Sequence, residues 1–565
     1  MSTSDKKASY DPLMPDLNNW PVVQLSRNRL DFRKQVEEEA KARIHESLQG
    51  SLRDELERAL FRESIRMKEK RWSTDPKDEP AFWQGIKDEL IHTSKLAEAN
   101  SSKEADEKAL SEIVSRYAKE ISGKFNISVY KFVQRLMPVG FYPLLKSPVN
   151  FNFLDNKVSA QVRKRIQFTG DIDKIRALSK DCTVVMVPTH FSNLDSVIAG
   201  WSIGTMGLPA FLYGAGQNLF GIKLFAFFMN YLGSYKVDRR KKNMLYLETL
   251  KTYSTLALSR GCHSLFFPGG RRSRSGSIET KLKLGLLGTA IDAQYRNLLL
   301  ANAEAPAKKI IVVPVVINYH FVMEAPVLID DYLKTTGKES YLIDEKDKYS
   351  SSYELFKIVF KLFTKGSEFS LSFGEPMDVF GNTVDNAGAS FSHKQAPLNI
   401  RDYFVSHGEL RHDRQRNTEY VRMLGEKITT SFKRENTVFS SHLVAFAAFE
   451  MLRRRFPKMD IYDLIRLSDD ERVLPKQLFF DTVSVLYDAV RKMADAGTIR
   501  MAEHLLDECK GDIHKIIEHG VHNVGIYHSK KVLLLNKKGD ITSEDLKLLY
   551  YYHNRLEGYS LAKYI

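Results

Sequence analysis

A histidine and an aspartate, two residue types that together abstract protons, stand five residues apart in "VVMVPTHFSNLDSVIAG", Val184 to Gly200. Of the 15 histidines only His190 has an aspartate at that spacing. The run before His190 is unbroken and apolar, and a second apolar segment begins at Asp195. Such a pattern reads as a buried strand followed by a helix, and open α/β sheets bind ligands at the carboxyl ends of their strands. Ser192 or Asn193 suits the helix cap, which places Asp195 in the first turn. From there its carboxylate can reach back to the imidazole, fix the tautomer and leave the other ring nitrogen facing the crevice as a base for an alcohol proton. A purely structural histidine at a strand end would show the same local pattern.

Two basic clusters follow. In "LGSYKVDRRKKN", Gly233 permits a tight turn, and Arg239 and Arg240 come after a short alternating strand. In "FFPGGRRSRSG", an apolar strand runs into a Pro-Gly-Gly turn and then Arg271, Arg272, Ser273 and Arg274. Guanidinium forks and the N–H groups of a Gly-rich turn bind phosphate oxygens. A solvated or membrane-facing basic patch has the same composition. Neither "RRSRSG" nor "GAGQNLFG" has the spacing of a nucleotide-binding loop, and no G-x-S-x-G nucleophile elbow occurs. Pro314 interrupts the strand "VVPVVINYH" and is expected to help shape the crevice wall.

The elements that must position these residues are visible in the texture of the chain. Its 565 residues imply two or three domains, and 43% hydrophobic with 27% charged residues marks a globular protein. A charge-dense helical region covers 1–105, with "NSSKEADEK" as a linker near 100–108. A helical lead-in follows at 106–150. Residues 151–400 alternate short apolar runs ("CTVVMVPT", "CHSLFFP", "KKIIVVPVVINY", "EFSLSF") with helical stretches. The expected fold is therefore α/β, with a largely buried mixed or parallel sheet flanked by helices. A C-terminal helical region, 401–565, completes the chain.

The net charge of +14 favours acidic partners: anionic lipid, nucleic acid or phosphorylated substrates. Cys182, Cys262 and Cys509 are scattered and odd in number, which argues for a reducing compartment over a disulfide framework. No secretory leader and no clean apolar run of transmembrane length is read. Gly200–Tyr235 comes nearest, with Lys223 its one formal charge. It reads as a pair of core helices, or as a surface that dips into a bilayer or holds an acyl chain. The His514–His528 group has loose spacing and no cysteine partners, so it reads as helix and loop surface, not a metal site.

In their order and spacing these elements resemble the glycerolipid acyltransferase family, the glycerol-3-phosphate and lysophosphatidate acyltransferases. "HFSNLD" matches its H-x-x-x-x-D motif, and "GSYKVDRR", "FPGGRRSRSG" and "VVPVVINY" resemble its second to fourth motifs. "RYAKEISGKFNISVYKFVQRLMPVGF", "NTVFSSHLVAFAAFEMLRR" and "LKLLYYYHNRLEGY" look like the bacterial glycerol-3-phosphate branch. The resemblance implies transfer of a fatty acyl group from an acyl thioester, acyl-CoA or acyl-carrier protein, to a hydroxyl of glycerol 3-phosphate. Lysophosphatidate is the alternative acceptor. His190 would be the base and Asp195 its orienter. Arg239, Arg272 and Arg274 would hold the acceptor phosphate, and donors around Gly269 and Gly270 the developing oxyanion. No metal and no cofactor beyond the co-substrate is implied. The expected partners are an anionic membrane surface, the thioester donor and the phosphorylated acceptor, with no nucleic acid. The implied location is peripheral, on the cytoplasmic face of a bacterial inner membrane. The chain departs from the family at Gly269, where a glutamate is usual, which leaves that carboxylate without a holder. A catalytically silent membrane-binding scaffold is the rival reading.

Overall fold

Alternation along the apolar runs decides where the strands lie. In the computed structural model, β2 (Thr183–Pro188) and β6 (Ile310–Tyr319) are buried throughout. Their side chains point alternately to two faces. Val184 and Met186 join Ile311, Val313, Val315 and Ile317 in one core. Val185 and Val187 join Ile310, Val312 and Val316 in another. Apolar residues on both faces are what a sheet covered on both sides requires. The structure describes residues 10–69, 72, 74–95, 99–141, 166–217, 229–302, 304, 306–336 and 368–565.

Among the described residues the sheet has seven strands. Besides β2 and β6 they are β1 (Ile166–Thr169), β3 (Leu212–Gly216), β4 (Ser234–Val237), β5 (Ser264–Phe266) and β7 (Phe369–Phe373). Their order is β1-β7-β6-β2-β5-β3-β4. The strands from β6 to β4 are parallel, and β7 runs antiparallel to β6. The expected α/β class with a mixed, mostly parallel sheet is thus observed. The helices Leu284–Leu300 and Arg414–Glu435 cover one face. Asp195–Thr205 and the C-terminal helices Ser440–Arg455 and Lys476–Asp495 cover the other.

Two expectations are corrected. "NSSKEADEK" is no linker: it lies in the helix Ala99–Ile121, which also crosses the expected boundary at 105. Leu110 and Ile113 of that helix share a core with Phe32, Leu56 and Trp83, and with Tyr246 and Tyr253 of the helix Met244–Ser259. The charged N-terminal helices therefore bury apolar stripes in one shared core, which reaches the sheet edge at Leu212 of β3 and Tyr235 of β4. The second correction concerns Gly200–Tyr235, which is not made of helices alone. Its helix ends at Thr205 and "LYGAG" forms β3. Glycines disguise this strand, yet Gly214 has a steric reason: a Cβ there would meet Tyr235 Oη at 2.8 Å. Residues 218–228 of the segment lie outside the described residues. Among the described residues no helix is long and apolar enough to cross a membrane.

Because Leu110 is fully buried in the shared core, Leu110→Ala should destabilise the whole protein by about 2–5 kcal/mol. Thermal unfolding should remain one transition at a lower midpoint. A separate early transition, with the rest unchanged, would contradict a common core.

Candidate active site

β2 delivers His190 two residues past its end, and the helix Asp195–Thr205 begins at the partner carboxylate. No side chain caps that helix in the expected way. Ser192 Oγ accepts the Leu194 N–H at 3.2 Å, and Asp195 turns back into the loop. Its Oδ2 accepts from His190 Nδ1 at 2.8 Å, from Phe191 N at 2.6 Å and from Ser192 N at 2.9 Å. Its Oδ1 accepts from the Tyr319 hydroxyl at 2.5 Å. Burial first, and then Asp195 beside it, push the Tyr319 hydroxyl well above its ordinary pKa, so it remains a donor. An ionised carboxylate is an acceptor only, so the proton sits on His190 Nδ1 and Nε2 carries the free lone pair. The ring stacks on Phe267 at 4.0 Å.

His190 lines a cavity of about 350 Å³ at the carboxyl ends of the parallel strands. Tyr213 to Gly216 of β3, Val237 of β4 and Leu265 of β5 form its floor. Both basic clusters reach it: Arg239, Arg240, Arg271, Arg272 and Arg274 are in the lining. They are not equivalent. Arg272 pairs with Glu324 at 3.1 Å, and Arg274 with Asp331 at 3.0 Å. Arg240 is clamped by Asp75 and Asp238 and lies 3.6 Å over the Trp72 ring. Among the described residues, Arg239 and Arg271 have no carboxylate partner. Crowding by protein, then the like charges of Arg271 and Arg272, weaken the hold of Arg239 on its proton. A guanidinium pressed against its own kind favours an anion beside it.

The other expected site residues are placed differently. Gly269 and Gly270 do not line the cavity, and the Gly270 N–H is donated to Phe267 O at 3.1 Å, closing the turn. That N–H is not aimed at a developing oxyanion. Pro314 is in mid-β6 opposite Val187, away from the cavity lining, and its carbonyl accepts from Gly374 N at 2.8 Å.

A carboxylate lies beside Gly269 in space. It is half-buried Glu279, and a Cβ on Gly269 would meet Glu279 Cγ and Oε1 at 3.0 Å. Glu279 Oε1 accepts the backbone N–H of His190 at 2.8 Å, while Oε2 is buried without a partner. Burial pushes this carboxyl up to about 7, with the His190 N–H opposing the shift. A second carboxylate, Glu324, accepts from Ser192 Oγ and Asn193 N, both at 2.9 Å, and so ties the histidine loop to Arg272. Tyr319, Glu279, Glu324 and Trp72 escape sequence reasoning. Tyr319 lies within "VVPVVINYH", Glu279 and Glu324 stand just past the quoted motifs with no signal of their own, and Trp72 comes from the distant N-terminal region.

The site is thus an Asp–His pair at a strand end of a mostly parallel sheet, opening on an arginine-lined cavity. Residues 169–318 match the family model described as Acyltransferase, so the chain carries an acyltransferase-family domain. Similar curated proteins are glycerol-3-phosphate acyltransferases. That of Pseudomonas aeruginosa (strain LESB58) is 24% identical over 289 residues, 51% of this chain and 30% of its own length. That of Pseudomonas fluorescens (strain SBW25) is 22% identical over 422 residues, 74% of this chain and 42% of its own. The chain thus spans less than half the length of these relatives. The solved structure of the 1-acyl-sn-glycerophosphate acyltransferase from Thermotoga maritima matches with 16% identity and a TM-score of 0.23. It covers 54% of this chain and 92% of that one.

Glu279 gives a pH test. Its pKa is raised on folding from the ordinary 4.5 to about 7, so the folded state holds the proton more tightly. Its contribution to stability is full below the unfolded pKa and is lost as pH rises through the folded pKa. Glutamine imitates the protonated acid. The stability of Glu279→Gln relative to the parent should therefore rise between pH 5 and pH 8, read from urea midpoints. An unchanged difference across that range would show that Glu279 does not titrate there.

Proposed function

We propose that the chain transfers a fatty acyl group from acyl-CoA or acyl-carrier protein to a hydroxyl of glycerol 3-phosphate. The observation that carries this reading is the His190–Asp195 pair at the cavity that Arg239 and Arg271 enter without carboxylate partners. His190 Nε2 takes the proton of the acceptor hydroxyl as its oxygen attacks the thioester carbonyl carbon. The tetrahedral intermediate collapses with cleavage of the C–S bond, and the imidazolium returns the proton to the departing thiolate. An ester and a free thiol result. Asp195 stabilises the imidazolium and holds the ring, as carboxylates do in histidine-based acyl transfer. Attack is direct, so no acyl-enzyme forms.

For the acceptor phosphate, Arg239 and Arg271 are the primary clamp, because Arg272 and Arg274 are shared with Glu324 and Asp331. Glu279 supplies the carboxylate that Gly269 lacks, acting through the His190 backbone and not on substrate. Association with membranes is peripheral and electrostatic, since net charge +14 attracts anionic lipid.

The deciding assay uses purified protein, a thioester donor, and glycerol 3-phosphate, 1-acylglycerol 3-phosphate and monoacylglycerol as acceptors. Glycerol 3-phosphate should be the best substrate. Acylation of neutral monoacylglycerol to the same extent would refute a phosphate clamp, and no transfer to any acceptor would favour a silent scaffold. His190→Ala should lower kcat by about 10²–10⁴-fold without loss of the fold. Arg239→Ala should raise the acceptor KM about tenfold or more, with the donor KM little changed. High salt should release much of the protein from anionic vesicles. Retention at high salt would require an apolar anchor.

A further inference from the structure

Behind the active site, four side chains from four separate segments converge. His320 is the first residue past β6, and Glu368 directly precedes β7. Because Tyr319 pairs with Phe369, these two extend the same antiparallel register. His504 opens the single π-helical turn His504–Glu508, and His519 lies in the helix Ile513–Asn523. We propose that His320, His504, His519 and Glu368 bind a divalent ion of the zinc class, which fastens the C-terminal helical region to the end of β6 and β7.

The distances suit a site short of closure. Ligand atoms of the three histidines lie within 4.8 Å of one another. Glu368 Oε2 is 3.2 Å from His504 Nδ1 and 3.9 Å from His320 Nε2. Tetrahedral zinc, with bonds of about 2.0–2.1 Å, needs donors about 3.3 Å apart. Small ring rotations supply the remainder. His320 is 1% exposed, and its Nε2 has no hydrogen-bond partner. Such an orphaned nitrogen is costly unless something completes it.

The nitrogens on the far side of each ring are already held. His320 Nδ1 is 2.8 Å from Ser441 Oγ, and His519 Nδ1 is 2.8 Å from Ser440 Oγ. His504 Nε2 lies 3.2 Å from Ser440 Oγ and from the Ser440 amide. Two adjacent serines thus hold the far side of all three rings, and for His320 and His519 a hydroxyl that can accept the ring N–H is what the outer shell of a metal site supplies. Burial lowers the proton affinity of His320 and His519, which favours neutral rings able to offer a lone pair to a cation. His504, whose Nε2 accepts the Ser440 amide N–H, must move its ring proton from Nδ1 to Nε2 to bind. Neutral nitrogens with one carboxylate match a zinc-class ion better than calcium or magnesium. Exposed Glu508 stands with Glu368 and His519 on the open side and gives the ion a way in. The expectation that His514–His528 is plain surface holds for His514 and His522 but not for His519.

The test uses the full chain and does not depend on acyl transfer. After stripping with chelator and reloading, elemental analysis should find one tightly held Zn²⁺ per chain. Zinc should raise the thermal midpoint and chelator lower it. Co²⁺ should give the intense visible bands of four-coordinate geometry. His519→Gln and Glu368→Gln should lose the bound equivalent. Ser440→Ala, which leaves every ligand in place, should weaken zinc binding about 10–100-fold. His514→Gln, exposed on the same helix, should bind as the parent does. The proposal fails if the parent takes up no tight equivalent and its midpoint ignores zinc and chelator. It also fails if uptake survives both ligand substitutions.

Discussion

One buried carboxylate organises the site. Asp195 is fully removed from solvent and accepts four hydrogen bonds, from a ring nitrogen, two backbone amides and a phenol. A charge so buried is tolerated only when its acceptor capacity is met. Three of those donors belong to the loop between β2 and its helix, and the fourth is at the end of β6. The need to satisfy Asp195 therefore fixes the loop, the imidazole tautomer and the register between two core strands together. The carboxylate also sits at the first turn of a helix, where the aligned peptide dipoles favour negative charge.

A lattice of further acids and bases surrounds that pair. Glu324 joins the histidine loop to Arg272, Glu279 holds the His190 amide, and Ser273 N donates to His190 O at 2.7 Å. Two buried acids, Asp195 and Glu324, with half-buried Glu279 close by would repel one another, and the structure answers in two ways. Arg555 is buried with its guanidinium 3.5 Å over the Phe191 ring, within electrostatic reach of Glu279 and Asp195. Glu279, which has no direct cation partner, instead has its proton affinity raised. The turn around Gly269 can then run close to Glu279 because glycine leaves the space that the acid fills.

What could be read from the sequence was local. His190 and Asp195 were legible because a strand end and a first helical turn five residues apart leave little choice of geometry. The strands β2, β5, β6 and β7 were legible because unbroken apolar runs bounded by turn residues have few other uses. β3 was hidden because its glycines serve a contact with Tyr235 that only the folded sheet contains. The arginines looked alike in sequence, and only their partners separate Arg239 and Arg271 from the paired Arg240, Arg272 and Arg274. Glu279, His320 and His504 were invisible, and His519 was read as surface, because their neighbours come from distant parts of the chain.

The terminal helical regions belong to the same argument. Trp72 lines the cavity, and Asp75 holds Arg240 against it, so one wall comes from the N-terminal region. On the other side, Asn554 Nδ2 donates to Ser275 O at 2.9 Å in the arginine-rich loop. The last glycine of "RRSRSG" is explained by this contact and not by phosphate. At Gly276, φ is +86°, and a Cβ would lie 2.2 Å from Tyr551 O. Any side chain there would push the C-terminal helix off the loop that carries Arg272 and Arg274. Arg555 reaches the ring of Phe191 from the same tail. The stretch matched to the acyltransferase family supplies His190, Asp195 and the arginines. The shape of the cavity, and the compensation of its buried acids, are completed by residues that lie before and after it.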